Sequence, residues 1–414
     1  MALEAPLSED FHNLMPERQK KLTCFSPNRP QEKTRPFGCS LCSLLLFFLN
    51  LATLPVWAQK PEQSQAERQK TLKQRLEAKV QDFLRDPATL APGLQIGVIT
   101  PQGKSYLAWG SLWHGKDVPP QPDTLYELAS LTKPFTALLL AQLFVEGQVK
   151  LNDPVKPCSP TETSVWCFRG QPLTWLDLLT HSSGLPSLPE NLDLGDPQAT
   201  RRYSPQDLAA FEQGFKRTVP APTDFGYSTL GYGLLGQLLA EKTGLSFASQ
   251  IEDLTARLGL PDTRLQLSSE QFQRLAPGYI RTQLVPYFAD EGGLSASGGL
   301  KSTPRDLLDF LAQILQIEQA PSSPLLVKTL AQTTQLTGRR GAPFCQMAWG
   351  WQYFTPAGVY WHSGSAAGGK AFLAFEPQRQ IGVVILSNAR VQGFKMEPLG
   401  LHVLELLGEM EPNK

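Results

Sequence analysis

Hydrophobic positions follow three regimes along the chain. Between residues 61 and 86 the sequence is polar except for Leu72, Leu76, Val80 and Phe83–Leu84, which recur every three to four positions. That period predicts an amphipathic helix from Pro61 to about Asp86. At Leu94–Thr100 and Ser105–Trp109 the pattern changes to short β-rich runs, and Pro101-Gln-Gly-Lys between them has the chemistry of a hairpin turn. A long apolar helix is predicted over Leu131–Glu146, stopped by Gly147. From about Leu151 to Arg339 helical stretches such as Leu173–Leu179, Leu230–Thr243 and Pro304–Ile317 alternate with Pro- and Gly-containing loops. Strands return at Met347–Phe354, Gly358–His362, Ala371–Glu376 and Ile381–Ser387, and a last helix spans roughly Met396–Leu407.

β-rich segments at both ends with helices between them predict an α/β (α+β) fold. Both chain ends enter one antiparallel sheet flanked by helices, and a mostly helical subdomain at about 150–340 is inserted within a single domain, 59–414. The cleft between sheet and helical part is the expected place for a ligand. The chain has 414 residues, 41% of them hydrophobic and 18% charged, enough to bury a large core. Lys+Arg and Asp+Glu both number 38, so no basic excess invites nucleic acid, and no groove-reading motif is present. The balance points to a small or uncharged partner.

The first 58 residues read as an export signal with a long N-terminal extension. Cys39 to Leu54 is apolar, Arg29, Lys33 and Arg35 precede it, and Val56-Trp57-Ala58 makes a small-x-small exit. The run is short of the roughly 20 residues that span a bilayer. Cleavage is therefore expected, with an uncleaved anchor in the inner membrane or a buried helix as the alternatives. A start at Met15 would remove Glu4, Glu9 and Asp10 and leave a more positive leader. The expected location is periplasmic or secreted, and any membrane contact would run through the leader alone. After the leader the cysteines are Cys158, Cys167 and Cys345. Cys158 and Cys167 bracket a Pro/Ser/Thr-rich loop, where a disulfide suits an oxidising compartment and two free thiols are the alternative. No CxxC pair or His pair at ligand spacing follows the leader, so neither a metal nor another cofactor is expected.

Ser130-Leu-Thr-Lys133 is the one S-x-x-K in the chain, placed where a loop meets the predicted helix. Residues three apart share a helix face, so Lys133 lies beneath Ser130. A serine needs a base to become a nucleophile, and a buried amine with a lowered pKa can serve. Alone the motif reads equally as a helix cap with a surface lysine. Two further segments carry polar residues at element ends: Asp224-Phe-Gly-Tyr227-Ser-Thr229, a loop-to-helix junction, and His362-Ser363-Gly364-Ser365, where a β-run bends. Leu178-Leu-Thr-His181-Ser-Ser-Gly-Leu-Pro186 reads as a helix end, with His181 as a structural loop residue. No G-x-S-x-G elbow exists, which argues against an α/β-hydrolase.

Taken together these segments resemble the serine β-lactamase and penicillin-binding-protein superfamily, in its class C β-lactamase and D-alanyl-D-alanine carboxypeptidase branch. Ser130–Lys133 matches S-x-x-K, Tyr227–Thr229 the Y-x-N position and His362–Gly364 the K-T-G or H-x-G position, in the family's order. The resemblance covers about Pro92 to Asn388 and comes nearest to the small periplasmic carboxypeptidase/endopeptidases. It implies that Ser130 attacks a carbonyl to form an acyl-enzyme, with Lys133 and Tyr227 shuttling the proton. Backbone N–H groups of Ser130 and Ser365 would form the oxyanion hole. Thr229, His362, Ser363 and Gly364 would line the substrate, a peptide or β-lactam-like small molecule such as a peptidoglycan peptide. Two positions depart from the pattern. Thr229 replaces the usual Asn, a shorter group without the amide's paired donor and acceptor. His362 stands where β-lactamases carry Lys, and a neutral imidazole would leave Tyr227 protonated and Lys133 as the base. These departures turn the expectation from penicillin hydrolysis toward a carboxypeptidase, with an esterase or an acylated sensor as alternatives. Arg390, after the last strand, is either a carboxylate-binding charge or a surface residue.

Overall fold

The computed structural model describes residues 64–84, 93–193, 195–196, 199–287, 292–317, 323–390 and 396–410. The leader expected over 1–58 lies outside these residues, as do Pro61 and Asp86 at the ends of the first predicted helix.

Seven antiparallel strands form the main sheet. They are β1 (Leu94–Thr100), β2 (Gly103–Trp109), β3 (Cys345–Met347), β4 (Gln352–Phe354), β5 (Val359–Ser365), β6 (Lys370–Glu376) and β7 (Ile381–Ser387), in the order β2-β1-β7-β6-β5-β4-β3. The two chain ends meet where β1 pairs with β7, Leu94 opposite Ser387 and Ile99 opposite Gly382. One predicted strand is corrected: Met347–Phe354 is two strands, because Gly350 takes φ +78 and reverses the chain between Met347 and Gln352.

Alternation along the strands sorts side chains between two cores. On one face Leu373, Phe375, Val384 and Leu386 share a core with the helices α2 (Lys133–Val145), α3 (Trp175–Leu179), α4 (Thr229–Thr243) and α6 (Pro304–Ile314), and α5 (Ser295–Gly298) lies against α4. On the other face Phe372, Ala374, Val383 and Ile385 pack with Leu72, Leu76 and Val80 of α1 (Gln65–Leu84) and with Leu399, Val403 and Leu407 of α7 (Met396–Met410). The sheet is thus buried on both sides, as its unbroken apolar strands require.

Several helix starts carry local signatures. Thr174 caps α3 in a reciprocal capping box with Asp177, Ser228 caps α4, and Thr303 caps α6 ahead of Pro304. The predicted helix from Leu131 is also corrected. Ala129–Thr132 form a 3-10 turn, and α2 begins only at Lys133. Pro134 has no N–H to donate back to Ser130, and the Lys133 N–H takes that carbonyl instead, closing a tighter ring.

Candidate active site

The turn carrying Ser130 is wedged between β5 of the sheet and α5 of the helical layer. Ala129, immediately before it, takes φ +45, a conformation that side chains with a β-carbon rarely adopt. The surroundings hold it there. The Leu128 N–H donates to the Leu300 carbonyl, and the Leu300 N–H donates to the Thr132 hydroxyl. Ser130 is therefore presented half-exposed at the end of a fixed turn, not on a free loop.

Lys133 lies one turn below, fully buried. Its Nζ is 3.0 Å from Ser130 Oγ and 2.8 Å from the Ser297 carbonyl at the end of α5. The rings of Tyr227 and Tyr232 flank it, with centroids 4.9 Å and 5.6 Å from Nζ. Burial, with no carboxylate partner among the described residues, pushes the ammonium down to about 7. Lys133 thus sits beside a hydroxyl with a pKa suited to taking its proton.

Tyr227 reaches the same hydroxyl from the start of α4. Burial raises its phenol above the ordinary value of 10.0, against the opposing pull of the nearby Ser130 hydroxyl, so it is protonated at neutral pH. The loop that carries it is tied down at each residue. Gly226 N–H donates to the His181 carbonyl at 2.8 Å and Ser228 N–H to His181 Nδ1 at 3.1 Å. Thr229 N–H donates to the Ser187 carbonyl at 2.9 Å. Thr229 itself is half-buried at the first position of α4.

The sheet supplies the third side. Along β5, β4 pairs with Val359–Trp361 alone, so the His362–Ser365 half of β5 runs past β4's end and faces the Ser130 turn. A β-carbon at Gly364 would run into the Leu128 carbonyl oxygen and lie 3.1 Å from the Leu131 nitrogen, so only glycine lets strand and turn meet. Ser365, at the strand's end, is exposed. Ser363 is half-exposed, and its carbonyl accepts from His362 Nδ1 at 2.8 Å, which places the imidazole proton on Nδ1. His362 is buried, with its ring centroid 6.3 Å from that of Tyr227. Desolvation first, then the Lys133 charge, pushes it down to about 3.

Ser130, Lys133, Tyr227, Thr229 and His362–Ser365, spread over more than 230 residues of sequence, are thus carried by elements that meet around one hydroxyl. Cys158 and Cys167 are joined by a disulfide across their loop, and Cys345 is free and buried. Among the described residues no group of three or more His, Cys, Asp or Glu side chains could hold a metal ion. Reading the sequence missed the Ser297 carbonyl, Tyr232 and the bonds of His181. Ser297 acts through its backbone, which leaves no signal in residue type. His181 does leave one, as a lone histidine between two polar residues and a glycine stop.

The chain and its fold are similar to known proteins. The family model described as Beta-lactamase matches residues 72–406. A D-alanyl-D-alanine-carboxypeptidase/endopeptidase, AmpH of Escherichia coli (strain K12), is 28% identical over 337 residues, 78% of this chain and 86% of the relative. Among solved structures, a beta-lactamase/D-alanine carboxypeptidase from Yersinia pestis superposes with TM-score 0.68 at 25% identity over 84% of this chain and 99% of that one. A class C beta lactamase from Rhodobacter sphaeroides shares the fold, with TM-score 0.66 at 23% identity over 82% and 99% of the two chains.

Proposed function

This chain belongs to the beta-lactamase family of serine hydrolases, and from that premise we propose that it is an exported acyl-enzyme hydrolase cleaving the terminal D-alanyl bond of peptidoglycan peptides. The observation that carries the proposal is Lys133 Nζ, buried and 3.0 Å from Ser130 Oγ with its pKa near 7. Neutral Lys133 takes the Ser130 proton as Oγ attacks the peptide carbonyl. The resulting oxyanion is held by the N–H groups of Ser130 and Ser365, each such donor lowering the barrier by about 3 kcal/mol. The tetrahedral intermediate collapses and breaks the C–N bond. Lys133 passes its proton through Tyr227, whose phenol gives one to the departing amine. Water then adds to the acyl carbonyl along the same route and frees Ser130. An extended substrate lies along the His362–Ser365 edge of β5, in the manner of an added strand.

A second reading, an esterase on the same site, is favoured by His362. Held neutral, it provides no fixed charge for a terminal carboxylate where β-lactamases have Lys. Release of D-alanine from a muropeptide pentapeptide, lost in Ser130→Ala, supports the first reading. Hydrolysis of p-nitrophenyl esters without D-alanine release replaces it with the second. Stable labelling by a fluorescent penicillin with no turnover of either substrate would make the protein a sensor and overturn both.

Export is part of the same proposal, supported by the Cys158–Cys167 disulfide. Among the described residues no helix is long and apolar enough to cross a membrane. The N-terminal residue of the mature protein, read after expression with its leader, tests cleavage after Ala58.

A further inference from the structure

His181 has no part in the proton route above, yet the segments around Tyr227 converge on it. It is buried, 1% exposed, at φ +57 in the loop that leaves α3. Its ring lies against Tyr227 with centroids 4.4 Å apart and planes 31° from parallel. Behind it is Tyr232, at 5.0 Å and 32°, and Phe225 meets its edge at 5.7 Å. The Tyr232 hydroxyl is fixed in turn by the Leu179 carbonyl at 2.9 Å. Nδ1 accepts the Ser228 N–H, one residue after Tyr227, and the backbone carbonyl of His181 accepts the Gly226 N–H, one residue before it. Tyr227 is therefore gripped on its ring face and on both sides of its backbone by one residue. Buried beside Lys133 and His362, the imidazole is held well below its ordinary pKa and stays neutral, as an acceptor at Nδ1 must.

We propose that His181 is a positioning residue, which through its ring face and its Nδ1 acceptor holds the Tyr227 phenol at the Ser130 hydroxyl for proton delivery to the leaving group. This rests on the reading of Tyr227 as the donor of that proton. A misplaced donor matters most when the leaving group is a poor one, because a good leaving group departs without protonation.

Two variants divide the two holds. His181→Asn keeps a short acceptor and tolerates the left-handed backbone, but removes the ring. His181→Phe keeps a ring and removes the acceptor. The measurement is kcat and KM for benzyl and p-nitrophenyl esters of one acyl group, alongside thermal midpoints. Tyr227→Phe is expected to slow benzyl ester turnover by about 10²-fold and p-nitrophenyl turnover far less. Each folded His181 variant is expected to reproduce that bias, losing roughly tenfold in kcat on the benzyl ester with KM little changed. Equal losses on both esters, or none, in a folded His181 variant would overturn the proposal, since a purely structural role carries no leaving-group dependence. Activity that survives Ser130→Ala, or a Tyr227→Phe variant without the bias, would instead remove the reading of the site beneath it.

Discussion

Burial denies the Lys133 ammonium the water that would solvate it, and among the described residues no carboxylate replaces that water. The consequence for activity is a rate that falls with acid. With Lys133 near 7 and His362 near 3, kcat/KM is expected to drop below pH 7 along a single limb. His362→Lys places an ammonium in the site, which favours neutral Lys133 and should move that limb to lower pH; an unmoved profile would refute the assignment. The consequence for stability has the opposite cost. The unfolded chain keeps the Lys133 proton up to its ordinary 10.5, whereas the folded chain releases it near 7. Between those values the unfolded state binds more protons, so stability rises with pH across that window. Below pH 7 the folded state carries a penalty on the order of 5 kcal/mol from this one group. Lys133→Met is expected to be inactive, more stable at pH 6, and without that slope in urea denaturation from pH 7 to 10. The spacing of Ser130 and Lys133 is legible in the sequence because three residues of turn are a local matter. The pKa is not legible, because Ser297 and Tyr232, which help bury the amine, come from distant segments.

At the scale of elements, the site depends on one close approach between a strand and a turn. β5 overruns β4 by the four residues His362–Ser365, and Gly364 there lies against the Leu128 carbonyl. Gly364→Ala must push the turn away, and moving an oxyanion donor out of place costs about 10²-fold or more in kcat. The overpacking itself should cost only about 1–3 kcal/mol. A folded Gly364→Ala protein with a rate within a few-fold of the parent would show that this contact does not set the site. Sequence pattern finds most of these elements. The hairpin β1–β2 and strands β6 and β7 follow from their β-rich runs and the turn residues between them. It fails where the decision is a bend inside an apolar run. Met347–Phe354 is rich in aromatic β-formers, and the left-handed Gly350 divides it. Leu131–Glu146 is a long apolar helical run, and Pro134 delays its start through a missing hydrogen bond.

At the scale of the molecule, the two faces of the sheet carry separate duties. The face toward α2 and α6 belongs to the core that supports Ser130, and the face toward α1 and α7 is a second core. Leu76 is fully buried in that second core. Leu76→Ala is expected to cost about 2–5 kcal/mol in denaturant unfolding while leaving kcat of the folded protein unchanged. A parallel loss of kcat would show that the two faces are coupled. What the sequence by itself determined was what is set within a few residues or by period, the S-x-x-K turn, the helical stretches and the β-rich runs, and the placing of those runs at both ends of the chain pointed to one shared sheet. What only the tertiary structure decided was the environment. Ser297 and Tyr227 meet Lys133, and His181 and His362 meet Tyr227, from four separate segments, and a pKa or a proton route depends on distance and burial in space, which separation along the chain does not specify.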